Sequence, residues 1–193
     1  MTAANATKDY ANQNHTIFDV IVENENLGEF HIHAPGEHNV QNALGAVLLA
    51  LELDIPLEKI QAGLDQYNGV QRRFDIKYIL ENGIIIVDDY AHHPSEVAST
   101  IQAAKSGWGR RLIAVFQPHL FTRTRDFYQD FAQAFQESDV LIVTDIYQAR
   151  EIPIPGITAK IISDTAKKIG HKHVEYIPDQ TQIAKRLLEI AES

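Results

Sequence analysis

Gly83–Glu96 reads GIIIVDDYAHHPSE. The apolar run Gly83–Val87 predicts a buried strand, and Pro94 cannot continue one. Proline suits the first turn of a helix instead, and Ser95 and Glu96 favour a helix start, so a helix is predicted over Ser95–Lys105. A core strand therefore hands over to a helix N-terminus through Asp88, Asp89, Tyr90, Ala91, His92 and His93. Open α/β sheets place their sites at such strand ends, where the free N–H groups of the helix favour anions.

Downstream the alternation continues. Strands are predicted at Arg111–Phe116, Val140–Thr144 and Val174–Ile177, and helices at Arg125–Gln136, Thr158–Ile169 and Asp179–Glu192. That order implies an α/β domain with a mostly parallel sheet and helices on both faces. The series ends on a helix where one more strand would follow, so the domain is expected to lack its last strand and helix. Asn82-Gly83 marks a hairpin that sets Ile76–Leu80 antiparallel to Ile84–Val87.

Upstream the pattern differs. Met1–His15 is polar and irregular and is expected to be a disordered leader. Thr16–Val22 and Gly28–His33 alternate around Glu23–Leu27 as a hairpin, and Ala34-Pro35-Gly36 breaks the second strand. Helical spacing runs from His38 to Leu53, and Pro56 opens a second helix to about Tyr67, stopped by Asn68-Gly69. Val70–Phe74 is the expected hinge, dividing residues 1–73, a partial α+β piece, from the α/β residues 74–193.

The 193 residues are 45% hydrophobic and 22% charged, with a net charge of -9 and no cysteine. A disulfide framework, a thiolate metal site and a cysteine nucleophile are excluded, and a nucleic-acid surface is disfavoured. No run is long enough for a membrane helix, and the N-terminus has no secretory layout, so a cytoplasmic protein is expected. No GxxxxGK[ST] or GxGxxG loop occurs.

Besides the Asp88–His93 turn, three stretches offer chemistry. Phe116–Arg125, FQPHLFTRTR, places His119, Arg123 and Arg125 after a strand, where a guanidinium fork could clamp a carboxylate or phosphate. The alternative is local pairing of the arginines with Asp126 or Asp130. Asn39 and Asn42 share one face of a helical turn, as an adenine edge would require, although Asn39 could simply cap the helix. Arg72-Arg73 could reach a phosphate. Asp88, Asp89, His92 and His93 could also hold a divalent ion, which keeps a metal-dependent hydrolase open, as is a non-catalytic nucleotide- or amino-acid-binding module.

HNVQNALGAVLLAL, GVQRRF, VDDYAHHPSEV, FQPHLFTRTRDF and TDIYQAREIPIPG, in this order and spacing, resemble the Mur ligase family of peptidoglycan synthesis. The branch resembled is the one that joins L-alanine to UDP-N-acetylmuramate. The resemblance spans roughly Ala34 to Ser193. It implies an ATP- and Mg2+-dependent, three-domain ligase, of which this chain matches the end of the central ATP-binding domain and most of the Rossmann-like last domain. The family's phosphate loop and magnesium-binding acid lie upstream, so these residues alone are expected to be inactive. By the resemblance, Asn39 and Asn42 contact adenine, Arg73 approaches the ATP phosphates and Asp89 lies near the ribose. Tyr90, His92, His119 and Arg123 line the amino-acid pocket, with Arg123 on the carboxylate and His92 at the amine. Leu120 departs from the arginine of many relatives, and Arg125 is the substitute considered. Expected partners are small molecules only, neither nucleic acid nor membrane.

Overall fold

A computed structural model describes residues 2–7, 16–33, 36–67 and 71–191. By its contacts the chain forms two compact units that interleave in sequence. One comprises Met1–Tyr78, Ile85–Tyr90 and Gln102–Gly109, the other Ile79–Ile84, Ala91–Ile101 and Arg110–Ser193.

The first unit contains an antiparallel sheet of β1 (Thr2–Thr7), β2 (Thr16–Val22) and β3 (Glu25–Ile32) in the order β1-β2-β3. Glu23 and Asn24, with φ of 48° and 70°, form the tight connection between β2 and β3. Two successive positive φ values match the right-handed twist of paired strands. β1 corrects the expectation of an irregular leader over its six residues. The segment TAANAT has no apolar alternation to announce a strand, but the open edge of β2 supplies ladder partners whatever the side chains. Residues 8–15 lie outside the described residues, as does the predicted stop at Asn68-Gly69.

Helices α1 (Glu37–Glu52) and α2 (Leu57–Asp65) cover this sheet. Phe18, Val20, Phe30 and Ile32 pack with Val40, Ala43 and Val47 of α1 and Ile60 of α2 into one core. β4 (Asp75–Ile79) and β5 (Ile85–Asp88) form a two-stranded sheet. The turn joining them closes with Leu80 N–H on the Ile84 carbonyl at 2.8 Å. A connection this short admits only antiparallel pairing.

The second unit carries the parallel sheet. β6 (Ile113–Phe116), β7 (Val140–Val143) and β8 (Val174–Tyr176) lie in the order β6-β7-β8, all parallel. The whole of central β7 is buried, because its alternate residues enter different cores. Leu141 and Val143 join Phe116 of β6, Phe131 and Phe135 from α4 (Phe121–Ala134) and its C-cap, and Ile162 of α5 (Lys160–Lys168). Val97 and Ile101 of α3 (Pro94–Trp108) enter the same core. Val140 and Ile142 meet Ile183 and Ile190 of α6 (Gln180–Ala191) on the opposite face. Helices thus cover both faces, as the alternation of elements predicted. No helix among the described residues is long and apolar enough to cross a membrane.

Candidate active site

At the C-terminal edge of the parallel sheet the pairing of β6 and β7 continues beyond the strands. Thr144 N–H donates to the Phe116 carbonyl at 3.0 Å, Tyr147 N–H to the Pro118 carbonyl at 2.8 Å, and Leu120 N–H to the Tyr147 carbonyl at 3.0 Å. His119 is thereby set against Tyr147, the rings stacked at 5.7 Å. Helix α4 then starts at Phe121, four residues before the predicted Arg125, so Arg123 and Arg125 lie within the helix rather than in a loop. The early start follows from a cap no local residue provides. Glu151, in the loop after β7, accepts the Thr122 N–H at 3.0 Å and the Thr122 hydroxyl.

Arg123 projects its Nη1 to 3.4 Å from His119 Nδ1. The guanidinium can only donate, so this nitrogen of His119 accepts and the ring is neutral. Burial lowers the His119 pKa, and the charges of Arg123 and His92 push it further down, against a smaller upward pull from Glu151. His92 meets the edge of the His119 ring at 6.2 Å. Glu96 faces its other side, with Oε2 at 3.3 Å from His92 Nδ1. The same oxygen accepts the backbone N–H groups of His92 and His93 at 2.9 and 3.1 Å, closing the start of α3. His92, His119 and Arg123 are therefore brought together, and a carboxylate orients the first of them.

The first unit holds the other group of predicted residues. Asp89 accepts the Phe74 N–H at 2.8 Å, and Tyr90 N–H donates to the Arg72 carbonyl at 2.7 Å. Arg72 lies over the Tyr90 ring at 4.7 Å and reaches Asp88 at 3.3 Å. Of the arginine pair, Arg72 is thus the engaged member, while exposed Arg73 makes no ion pair among the described residues. His38 lies within the fields of Asp89 and Arg73, and burial is the largest cause of its lowered pKa. Asn39 and Asn42 share a turn of α1. The capping alternative for Asn39 fails: the cap is Gly36, and Asn39 N–H is already bonded to its carbonyl at 3.0 Å. Gly36 has a φ of 102°, and a Cβ there would stand 2.8 Å from His38 Cε1, so the turn into α1 requires glycine.

Arg125 does not join His119. Its Nε and Nη2 bind the Asp126 carboxylate at 2.7 and 2.9 Å, the local pairing weighed for it. His93 Nδ1 pairs with the Ser95 hydroxyl at 2.9 Å, and its ring packs on Phe127. The side chains proposed for a hydrolytic metal site thus have other partners. Among the described residues no group of His, Cys, Asp or Glu is arranged to hold a metal ion.

Sequence reasoning did not single out Glu96 or Glu151. The first was visible as the glutamate three residues into a helix start, where a side chain can reach back to close the turn. The second has no local signal, lying 29 residues from its partner. A groove of about 660 Å³ lies at the opposite, N-terminal edge of the sheet, lined by Arg111, Gln136, Ser138, Asp139, His171 and Arg186. Its arginines are bonded to the Ile190 carbonyl and to Glu175, so it presents no unclaimed anion clamp.

In that groove His171 is 7% exposed and its Nε2 lies 3.0 Å from the Ser138 hydroxyl. His38, His119 and His171 all have pKa values pushed below the ordinary 6.5, burial being the first cause in each. The unfolded chain therefore takes up protons more readily near that pH, and stability rises with pH there. Stability is expected to be complete above pH 6.5 and to fall as the pH drops through it. The depressed carboxyls of Glu151 and Asp179 contribute only to losses at lower pH. A urea midpoint unchanged between about pH 7.5 and 5.5 would contradict this.

Residues 72–193 match the family described as Mur ligase, glutamate ligase domain. The chain belongs to the Mur ligase family. It is 46% identical over 176 residues to the UDP-N-acetylmuramate–L-alanine ligase of Salinibacter ruber, covering 91% of this chain and 37% of that protein. Against the enzyme of the same name from Syntrophotalea carbinolica it is 44% identical, covering 98% of this chain and 41% of the relative. The chain thus spans well under half the length of these relatives. The crystal structure of UDP-N-acetylmuramate-alanine ligase from Thermotoga maritima superposes with a TM-score of 0.76 at 28% identity, over 90% of this chain and 36% of that one. A murein peptide ligase from Psychrobacter arcticus, at 22% identity and a TM-score of 0.60, covers 98% of this chain and 38% of its own and shares the Mur ligase fold.

Proposed function

We propose that this chain is the part of an ATP-dependent UDP-N-acetylmuramate–L-alanine ligase that holds L-alanine and contributes to the nucleotide site. The observation that carries the reading is the convergence of His92, His119 and Arg123, with Glu96 behind His92. Residues 1–73 would belong to the central nucleotide-binding domain and 74–193 to the amino-acid domain.

The reaction activates the muramate carboxylate by transfer of the terminal phosphoryl of ATP to give an acyl phosphate and ADP. The alanine amine then attacks the acyl carbon, and the tetrahedral intermediate collapses with loss of phosphate. Arg123 holds the alanine carboxylate through a two-point, charge-assisted pair. The amine must lose a proton before it attacks, and His92 is the base placed to take it, oriented by Glu96. Neutral His119 lines the pocket beside Arg123, and Tyr90 is assigned to substrate binding by the family resemblance alone. Asn39 and Asn42 face the adenine, Arg73 the phosphates, and Asp89 the ribose side. Mg2+ would partner the ATP phosphates, but the described residues offer it no ligand set, and no step is assigned to a metal held by this chain.

In the full-length ligase, replacing Asn42 with alanine is expected to weaken ATP by about two- to tenfold, the worth of one neutral hydrogen bond, with the alanine KM unchanged. An unaltered ATP affinity would reject the adenine contact. A polypeptide of these 193 residues is expected to release no phosphate with ATP, UDP-N-acetylmuramate and L-alanine, because it contains no GxxxxGK[ST] loop. Turnover by that polypeptide would overturn this division of labour.

A further inference from the structure

The first turn of α4 is badly provided for locally. Its N-cap, Leu120, makes no side-chain cap, and no acidic residue occupies the turn. Arg123 sits there instead and Arg125 follows just beyond, although the positive end of a helix dipole disfavours cations. Leu120 itself has φ 73° and ψ 138°, a conformation ordinarily left to glycine. It is held from both sides: its N–H donates to the Tyr147 carbonyl, and its carbonyl accepts the N–H and hydroxyl of Thr124 at 3.1 and 2.9 Å. Both remote restraints on this turn, the Tyr147 carbonyl and the Glu151 carboxylate, come from the loop after β7.

We propose that Glu151 is a positioning residue for the amino-acid substrate: by clasping Thr122 it fixes Arg123 immediately beyond and, through the strained Leu120 turn, His119 before it. The inference rests on the reading of Arg123 as the carboxylate holder. Both oxygens of Glu151 are occupied, Oε1 by the Thr122 hydroxyl and Oε2 by the Thr122 N–H. Those bonds hold its carboxyl below the usual range, the hydroxyl contributing most, so the clasp is ionised at neutral pH. An acid placed within the turn would cap the same N–H groups but would stand beside Arg123 and compete with the substrate for it. A cap delivered from another loop avoids that competition.

The test is steady-state kinetics of the full-length ligase carrying Glu151→Ala, Glu151→Gln or Thr122→Val, with the folded fraction checked by thermal melting. Misplacement of a substrate clamp by a fraction of an ångström to an ångström predicts a rise of roughly ten- to a hundredfold in the L-alanine KM for Glu151→Ala, with the ATP KM and the saturating rate within about twofold. Glu151→Gln keeps one acceptor oxygen and Thr122→Val keeps the backbone N–H, so both are expected to lie between wild type and Glu151→Ala. A fully folded Glu151→Ala enzyme with unchanged alanine KM would overturn the inference. So would a uniform decline of all constants tracking a lost folded fraction, which would mark Glu151 as structural only. Arg123→Ala measured alongside separates the two levels. If it raises the alanine KM while Glu151→Ala does not, the positioning role fails alone. If neither changes it, the carboxylate assignment fails with it.

Discussion

Replacing Arg123 by alanine is expected to raise the L-alanine requirement of the full-length ligase by about tenfold to over a hundredfold while leaving the ATP requirement near wild type. Loss of one charge-assisted pair is worth about 1.5–3 kcal/mol. The upper part of that range is favoured because no neighbour among the described residues is placed to replace the guanidinium. His119, at 3.4 Å, has its pKa lowered first by burial, a cause that persists when Arg123 is removed, so it is a poor substitute cation. Arg125 is committed to Asp126. Leu120 carries no charge. Lysine at 123 would restore charge without the planar fork, and a partial recovery is expected. An alanine dependence indifferent to Arg123→Ala would remove the carboxylate assignment and the chemistry built on it.

The elements carrying Arg123 and His92 were legible because their cores obey simple periodicities. Val140–Val143 is apolar throughout, and a strand buried on both faces requires that. Pro94 announced the start of α3. What the sequence hid was decided by partners distant along the chain. The start of α4 moved to Phe121 because its cap comes from Glu151, whereas the cap-type residues of the stretch itself, Thr122 and Thr124, lie inside the helix. β1 was invisible because an edge strand is recruited by backbone groups, not by side-chain alternation. Arg72 and Arg73 are equivalent as letters. Only the ring of Tyr90 and the carboxylate of Asp88 distinguish the first from the second. At the site itself the residue types were readable, since a histidine and an arginine after a core strand suggest anion chemistry. The orienting carboxylate behind His92 was readable only as a helix-start residue, and its second function depends on where the His92 ring turns.

The largest loss of stability is expected from Phe131→Ala. Phe131 is 1% exposed, and its ring lies 5.0 Å from that of Phe116. Truncating a buried phenylalanine costs about 3–5 kcal/mol, the sum of lost transfer energy and an unfilled cavity. The urea midpoint of the chain should fall accordingly, and Phe131→Leu, which leaves less empty volume, should cost less. The position also bears on function. Phe116 is the last residue of β6, three residues before His119, while Phe131 lies on the same helix as Arg123. A cavity between these rings lets α4 shift against the strand end, and a clamp that must meet a carboxylate at hydrogen-bond distance does not tolerate such a shift. The variant, assayed in the full-length ligase at a temperature where it stays folded, should therefore show a raised alanine KM as well as reduced stability. A destabilisation below about 1 kcal/mol would mean that the helix is anchored elsewhere, because the cavity term scales with the volume the surroundings fail to fill.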